Sequence, residues 1–266
     1  MDTHTTIPKP DTPDAKLDPI LSKSTEEGML TRMDKLAIDR AVVWYIGLNY
    51  EETVINNNWV ASLVRRHPDR LIGFTCVYPL DVDGSLKELK RCIDMPEFKG
   101  LKMHPIVQNF KMNDPSVLRV IREAKDYDIP LVLHVTSSAS EPLTPTEARR
   151  IQQQRDESEE GSLAASKWLW DVIKTYNSPK VIAAHMGGLY EPKIQESEIT
   201  FQTTGACVEA IEYAHENVGA ERIIFGSDFP FFEIYDEIAK IRKAGIPSTA
   251  KNKILGGNAE KLLRLT

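Results

Sequence analysis

The sequence predicts a (β/α)8 barrel of the TIM type, and three observations carry that prediction. Apolar runs of β character alternate with amphipathic, helix-type segments along almost the whole chain, which is the pattern of successive βαβ units. Three of those runs end in a residue able to bind a metal or move a proton: LVLH at His134, VIAAH at His185 and IIFGSD at Asp228. Such runs read as strands buried on both faces, so a polar side chain at the carboxyl end needs a reason. In a parallel barrel that end is the rim where chemistry sits. The length of 266 residues suits one such barrel, so a single domain over 1–266 is expected.

Taken in order, the first strand is expected from Asp2 to Ile7 and the second from Arg40 to Ile46. The helix-type segment VINNNWVASLVRRH leads to a third strand at Leu71 to Val77, and a fourth follows at Gly100 to His104. SVLRVIREAKDY precedes the fifth strand at Leu131 to Val135, and SKWLWDVIKTY precedes the sixth at Lys180 to His185. The seventh, Thr200 to Thr204 in ITFQTTG, is short and the most polar; the eighth runs from Arg222 to Gly226. EIYDEIAKIRKAG and a last helix near Ala259 to Leu265 close the barrel, with Gly257 as a turn and Asn258 as an N-cap. Several helical segments open on Ser, Asn or Asp and close on Gly or Pro.

Composition excludes several classes. The net charge of -6 is modest, and Lys and Arg neither form blocks nor interleave with aromatics, so nucleic acid is not an expected partner. No apolar stretch approaches bilayer length and MDTHTTIPKP lacks the regions of a signal peptide, so no membrane contact and a cytoplasmic location are expected. Cys76, Cys92 and Cys207 are odd in number and far apart, which argues against both a disulfide framework and a thiolate metal site. Two long connections, Pro8 to Ser24 and Thr136 to Gly161, leave strand carboxyl ends and could cover a substrate; the second reads equally as a solvated, charged helix.

The strand assignment gathers His4, Lys102, His104, His134, His185 and Asp228 at or near carboxyl ends. Strand tops converge, and imidazole with carboxylate is a ligand set that borderline cations accept, so one metal site is the economical reading. Lys102 and His104 are two apart on one strand and face the same side. His67 and His215 stand in helical contexts and read as surface or capping residues, and Trp168 and Trp170 as ordinary helix positions.

The motifs MDTHT, GLKMHP, LVLHV, VIAAHMGG, FGSDFP and ILGGNAEKLL resemble the amidohydrolase superfamily, in particular the amidohydrolase-related branch that includes aminocarboxymuconate semialdehyde decarboxylase and its hydrolytic relatives. The resemblance runs from Met1 to the last helix and implies one divalent ion, usually zinc. It makes His4, His134 and Asp228 the metal ligands and His185 a catalytic partner beside Asp228, which would accept a proton. It also implies a homodimer. Lys102 and His104 are read as holding a small, anionic substrate. Thr6 stands where the second His of the family's HxH pair belongs, leaving three good protein ligands, a number that still suits catalytic zinc. The alternatives are entry of His185 or His104 into the coordination shell, weakened metal binding, or a site that works without metal.

The leading expectation is therefore a metal-dependent hydrolase of a small carboxylate-bearing amide, ester or lactone. A bound cation would lower the pKa of a water from about 15.7 toward about 7. The alternative is a metal-dependent decarboxylase of an unsaturated or aromatic acid, for which Arg149, Arg150 and Arg155 are the basic anchors on offer. A third reading, suggested by Thr6, is an inactive barrel that serves as a binding protein.

Overall fold

The computed structural model describes residues 1–10, 20–21, 24–159, 161–178 and 180–265. Eight strands lie in one parallel sheet in sequence order: β1 (Asp2–Thr6), β2 (Ala41–Trp44), β3 (Leu71–Cys76), β4 (Phe98–Met103), β5 (Leu131–Leu133), β6 (Val181–Ala183), β7 (Thr200–Gln202) and β8 (Ile223–Ile224). Its two edges meet, since the Thr3 amide donates to the Phe225 carbonyl, Asp228 N to His4 O and Thr6 N to Phe229 O. The barrel is thereby nearly closed.

Alternation along the strands divides the core. Val42 and Trp44, Ile72, Phe74 and Cys76, Val132, Ile182 and Ile224 form the inner cluster, while the intervening positions pack outward against the helices in a larger one. Phe74 is among the largest fully buried side chains, and its replacement by Ala would cost about 3–5 kcal/mol.

The first five crossover helices are each started by a side chain. Thr25 caps α1 (Glu26–Lys35) by accepting from Gly28 N, Asn49 caps α2 (Tyr50–Arg66) and Asp81 caps α3 (Val82–Ile93). Asp114 caps α4 (Pro115–Asp126), where proline occupies the first turn and loses no hydrogen bond. In α5 (Pro145–Glu157), Thr144 and Glu147 form a reciprocal capping box. Next come α6 (Ser166–Thr175), the single turn α7 (Pro192–Gln195), α8 (Val208–Val218), α9 (Ile234–Lys243), α10 (Ser248–Asn252) and α11 (Asn258–Leu262).

Several expected boundaries shift for identifiable reasons. The sixth strand stops at Ala183 because His185 adopts φ 59°, a left-handed conformation that cannot continue a strand. The seventh and eighth strands are also shorter than expected. Asn258 is not an N-cap: it is already helical, and its amide donates to Ala220 O and Ile223 O, tying the last helix under β8.

The Thr136 to Gly161 excursion contains α5, and it is pinned. Buried Asp156 accepts from the Thr136 hydroxyl at 2.8 Å, from Gln152 at 2.8 Å and from Ser166 Oγ at 3.0 Å. Most of the Pro8 to Ser24 connection, and with it the expectation that it covers the site, lies outside the described residues. Among the described residues no helix is long and apolar enough to cross a membrane.

Candidate active site

The strand carboxyl ends open into a cavity of about 530 Å³, lined by His4, Thr6, Lys102, His104, His134, His185 and Asp228 together with Leu21, Trp44, Tyr45, Ile46, Leu48, Val107, Phe231 and Phe232. All six side chains singled out in the sequence reach it. Cavities of similar size at the amino end are lined by residues such as Arg40, Arg65, Glu97 and Asp69, with no histidine among them.

His4 lies on the inner face of β1 with Asp2 and Thr6, two residues to either side. Its tautomer is set by a neighbour that composition alone does not reveal. The Gln202 amide nitrogen donates to Thr3 O at 2.9 Å and to Thr3 Oγ1 at 2.7 Å, which turns its oxygen toward His4 Nδ1 at 2.5 Å. An oxygen there requires Nδ1 to carry the proton. The Nε2 lone pair therefore points into the cavity, 3.1 Å from Asp228 Oδ1 and 3.5 Å from Lys102 Nζ.

Two acceptors 3.1 Å apart repel unless positive charge lies beside them. Lys102 supplies some, with its ammonium also 4.9 Å from the Trp44 ring centroid. A bound cation would supply more. The ligand atoms of His4, His185 and Asp228 lie within 4.8 Å of one another, and two imidazoles with one carboxylate suit a divalent first-row ion. The residues present fit such an ion.

His134, expected as a ligand, takes a different place. Its Nδ1 lies 3.0 Å from His185 Nε2, and its ring stacks on His104 with centroids 3.8 Å apart. His104 Nδ1 in turn accepts from Val107 N at 3.3 Å. The three imidazoles thus form a contiguous row beside the His4 and Asp228 pair.

His185 and Asp228 both have left-handed backbones, at φ 59° and 60°, outside the region favoured by residues with a side chain. His185 sits two residues past β6 and Asp228 four past β8, so the turn aims each side chain back over the mouth. Gly187 permits the first of these turns: a Cβ there would lie 2.3 Å from the Val135 side chain.

Electrostatics follow from burial. Loss of water pushes the pKa of His4 down, and the nearby Lys102 charge adds to the effect. Burial likewise lowers His185 to about 3 and holds His104 and His134 well below the usual imidazole range. Lys102 falls from 10.5 to about 8 for the same reason. Burial acts upward on Asp228, but His4, His185 and Lys102 outweigh it and leave the carboxyl at about 2. At neutral pH the floor thus holds neutral imidazoles, one carboxylate and one ammonium.

Trp44, Gln202 and Thr204 were missed in the sequence. Gln202 did leave a signal, since it accounts for the polarity of ITFQTTG. Glu237 on α9 also escaped notice: its Oε2 accepts from Gly205 N at 3.0 Å, and Gly205 follows Thr204, whose backbone hydrogen-bonds His185. Gly205 has φ 68°, and a Cβ there would meet the Phe232 ring at 3.3 Å. The arginines considered as anchors point elsewhere. Arg149 donates to Tyr190 O at 3.2 Å, Arg155 bonds Ser137 O and Glu141, and Arg150 does not line the cavity.

Comparison with known proteins adds to this geometry. The chain is 24% identical over 253 residues to a gamma-resorcylate decarboxylase of Polaromonas sp., covering 79% of this chain and 75% of that one. It is 22% identical over 241 residues to a 2-amino-3-carboxymuconate-6-semialdehyde decarboxylase of Dictyostelium discoideum, covering 79% of this chain and 65% of that protein, just under two thirds. The crystal structure of a dihydroxybenzoic acid decarboxylase from Polaromonas sp., with bound manganese and the inhibitor 2-nitroresorcinol, superposes with a TM-score of 0.76 at 18% identity, covering 100% of this chain and 98% of that one.

These relatives overturn the expectation of a hydrolase, because all are decarboxylases. The physical reason for the error is that one cation beside imidazoles and a carboxylate serves either reaction, activating water or holding a departing carboxylate. A family model described as amidohydrolase matches residues 2–265, and the chain belongs to that family.

Proposed function

We propose that this protein is a metal-dependent decarboxylase of an aromatic carboxylic acid. One observation carries the reading: the deprotonated His4 Nε2 and the Asp228 carboxylate face each other at 3.1 Å on the floor of a cavity whose upper walls are apolar and aromatic. Such a floor calls for a cation, and such walls suit a ring. The resemblance to decarboxylases of resorcylate and dihydroxybenzoate supports the same conclusion.

His4, His185 and Asp228 would hold the ion, with His134 hydrogen-bonded to His185 beside them. His134 was first read as a ligand in place of His185, so the two exchange roles in this proposal. The ion, when bound, draws electron density from the substrate carboxylate and its neighbouring oxygen. Zinc gave the first expectation; the manganese in the solved relative makes manganese equally suited to these nitrogen and oxygen ligands.

The side chains account for the remaining steps. Asp228 stays ionised and orients the His4 face of the site. His104 and His134, neutral and stacked, flank the ring without adding charge. Cleavage of the bond from ring to carboxylate leaves its electron pair on the ring carbon and releases carbon dioxide, so that carbon must take up one proton. Lys102, whose pKa of about 8 is close to neutral, is the donor among the described lining residues best matched to the task. Its proton is then replaced from solvent.

The test is direct. Protein stripped with a chelator and reloaded with manganese or zinc is assayed for carbon dioxide release from 2,6-dihydroxybenzoate and other hydroxybenzoates. Release that depends on the metal supports the reading, and no release from any member of the panel by loaded protein sinks it.

A further inference from the structure

Charge and apolar surface occupy different depths of the cavity. His4 and Lys102 are 2% and 1% exposed at the floor, whereas Leu48, Val107 and Phe231 at the mouth are 50%, 49% and 50% exposed, and Phe232 is 41%. These four side chains come from three separate connections, those after β2, β4 and β8, so they bound the mouth from more than one side. Phe232 is backed by Gly205, whose missing side chain lets the ring approach.

Solvent-facing apolar side chains are unremarkable singly, but four around one opening make a surface with a use. Among the described residues that line the cavity, Lys102 is the one ammonium and there is no guanidinium. A ligand that seats a carboxylate on the floor therefore presents its opposite end to Leu48, Val107, Phe231 and Phe232. An alkyl group there sheds water against apolar walls. A second carboxylate would lose water and find no donor among those four side chains.

We propose that the site selects aryl monocarboxylates bearing an apolar group opposite the carboxylate and rejects aryl dicarboxylates, with Leu48, Val107, Phe231 and Phe232 setting that choice. The proposal rests on the decarboxylase reading only for the orientation of the carboxylate toward the floor. It narrows the proposed substrate class from aromatic carboxylic acids to aryl monocarboxylates with an apolar group facing the mouth.

Binding calorimetry on the manganese-loaded protein, with 4-propylbenzoate and terephthalate as probes, tests it without any need for turnover. Wild-type protein is expected to bind 4-propylbenzoate at least about tenfold more tightly than terephthalate. Val107→Arg places a guanidinium at the mouth and should tighten terephthalate by about tenfold while weakening 4-propylbenzoate; Leu48→Arg is the second, independent variant. Both positions are half exposed, so neither change disturbs the core. Equal or tighter binding of terephthalate by wild type, no binding of either probe, or an unchanged ratio in both arginine variants overturns the proposal. Failure of the decarboxylase reading looks different: the expected binding ratio holds, yet no hydroxybenzoate releases carbon dioxide.

Discussion

Nε2 of His4 and Oδ1 of Asp228 stand 3.1 Å apart although 224 positions separate them in sequence, and neither atom has a proton of its own to offer at neutral pH. Their repulsion is relieved by positive charge placed between or beside them. Replacing Asp228 by Asn exchanges an anionic ligand for a neutral one. Metal affinity, measured by competition with a chromogenic chelator, is expected to fall by at least about 100-fold, or about 2.7 kcal/mol.

Gln202 holds His4 in the tautomer that frees Nε2. Gln202→Leu removes the acceptor and lets the proton move to the cavity side of the ring. By analogy with second-layer partners of metal-bound histidines, metal affinity should drop by about 10- to 100-fold while the fold persists. Circular dichroism alongside the chelator titration distinguishes this from unfolding.

Thr6 lies on the same face of β1 as His4 and lines the cavity. Thr6→His adds an imidazole to the floor. Tighter retention of zinc or manganese, by about tenfold or more against the same chelator, is the expected outcome, and unchanged retention would show that Thr6 does not approach the ion.

Lys102 is charged and fully buried at neutral pH, with a folded pKa of about 8 against 10.5 for the free group. Below pH 8 both folded and unfolded chains hold the proton, and folding bears the whole cost. Between pH 8 and 10.5 only the unfolded chain remains protonated, so stability rises with pH; above that range the cost is gone. Lys102→Met should therefore stabilise chelator-treated protein at pH 7 by up to about 3 kcal/mol, an upper bound because Asp228 loses a positive neighbour. The gain should shrink toward zero above about pH 10.5, as read by urea denaturation at several pH values, and turnover of the manganese-loaded variant should be lost.

Glu237 holds the turn that carries Thr204 and Gly205 against His185. Glu237→Ala leaves the Gly205 N–H without its acceptor, at a cost of about 1–3 kcal/mol. Turnover should fall by about tenfold, with most of it restored by Glu237→Gln, whose amide oxygen can accept the same hydrogen bond. Equal losses in both variants would argue that the negative charge, rather than the hydrogen bond, is what matters.

Much of this architecture was legible because it follows from burial. His134, His185 and Asp228 stood out as polar ends of apolar runs, and the barrel brought each of them to one cavity. What could not be read was set by neighbours distant in sequence. The left-handed turn at His185 places its imidazole among the candidate ligand atoms of His4 and Asp228, while His134 hydrogen-bonds His185 and stacks on His104. Asn258 resembles a cap in isolation but bonds the carbonyls at the start of β8. The reaction was read wrongly for a related reason: residue types on the floor are shared by hydrolases and decarboxylases, and the apolar residues at the mouth are scattered over three connections that no motif links.

The seam between β8 and β1 has a consequence for the life of the chain. His4 leaves the ribosome well before Asp228 and the strand that precedes it, so a half-made barrel owns half a site. Closing so long a loop is entropically costly and comes late. Because the candidate ligand atoms of His4 and Asp228 lie on opposite sides of that final joint, an ion held by both would act as a clasp across it.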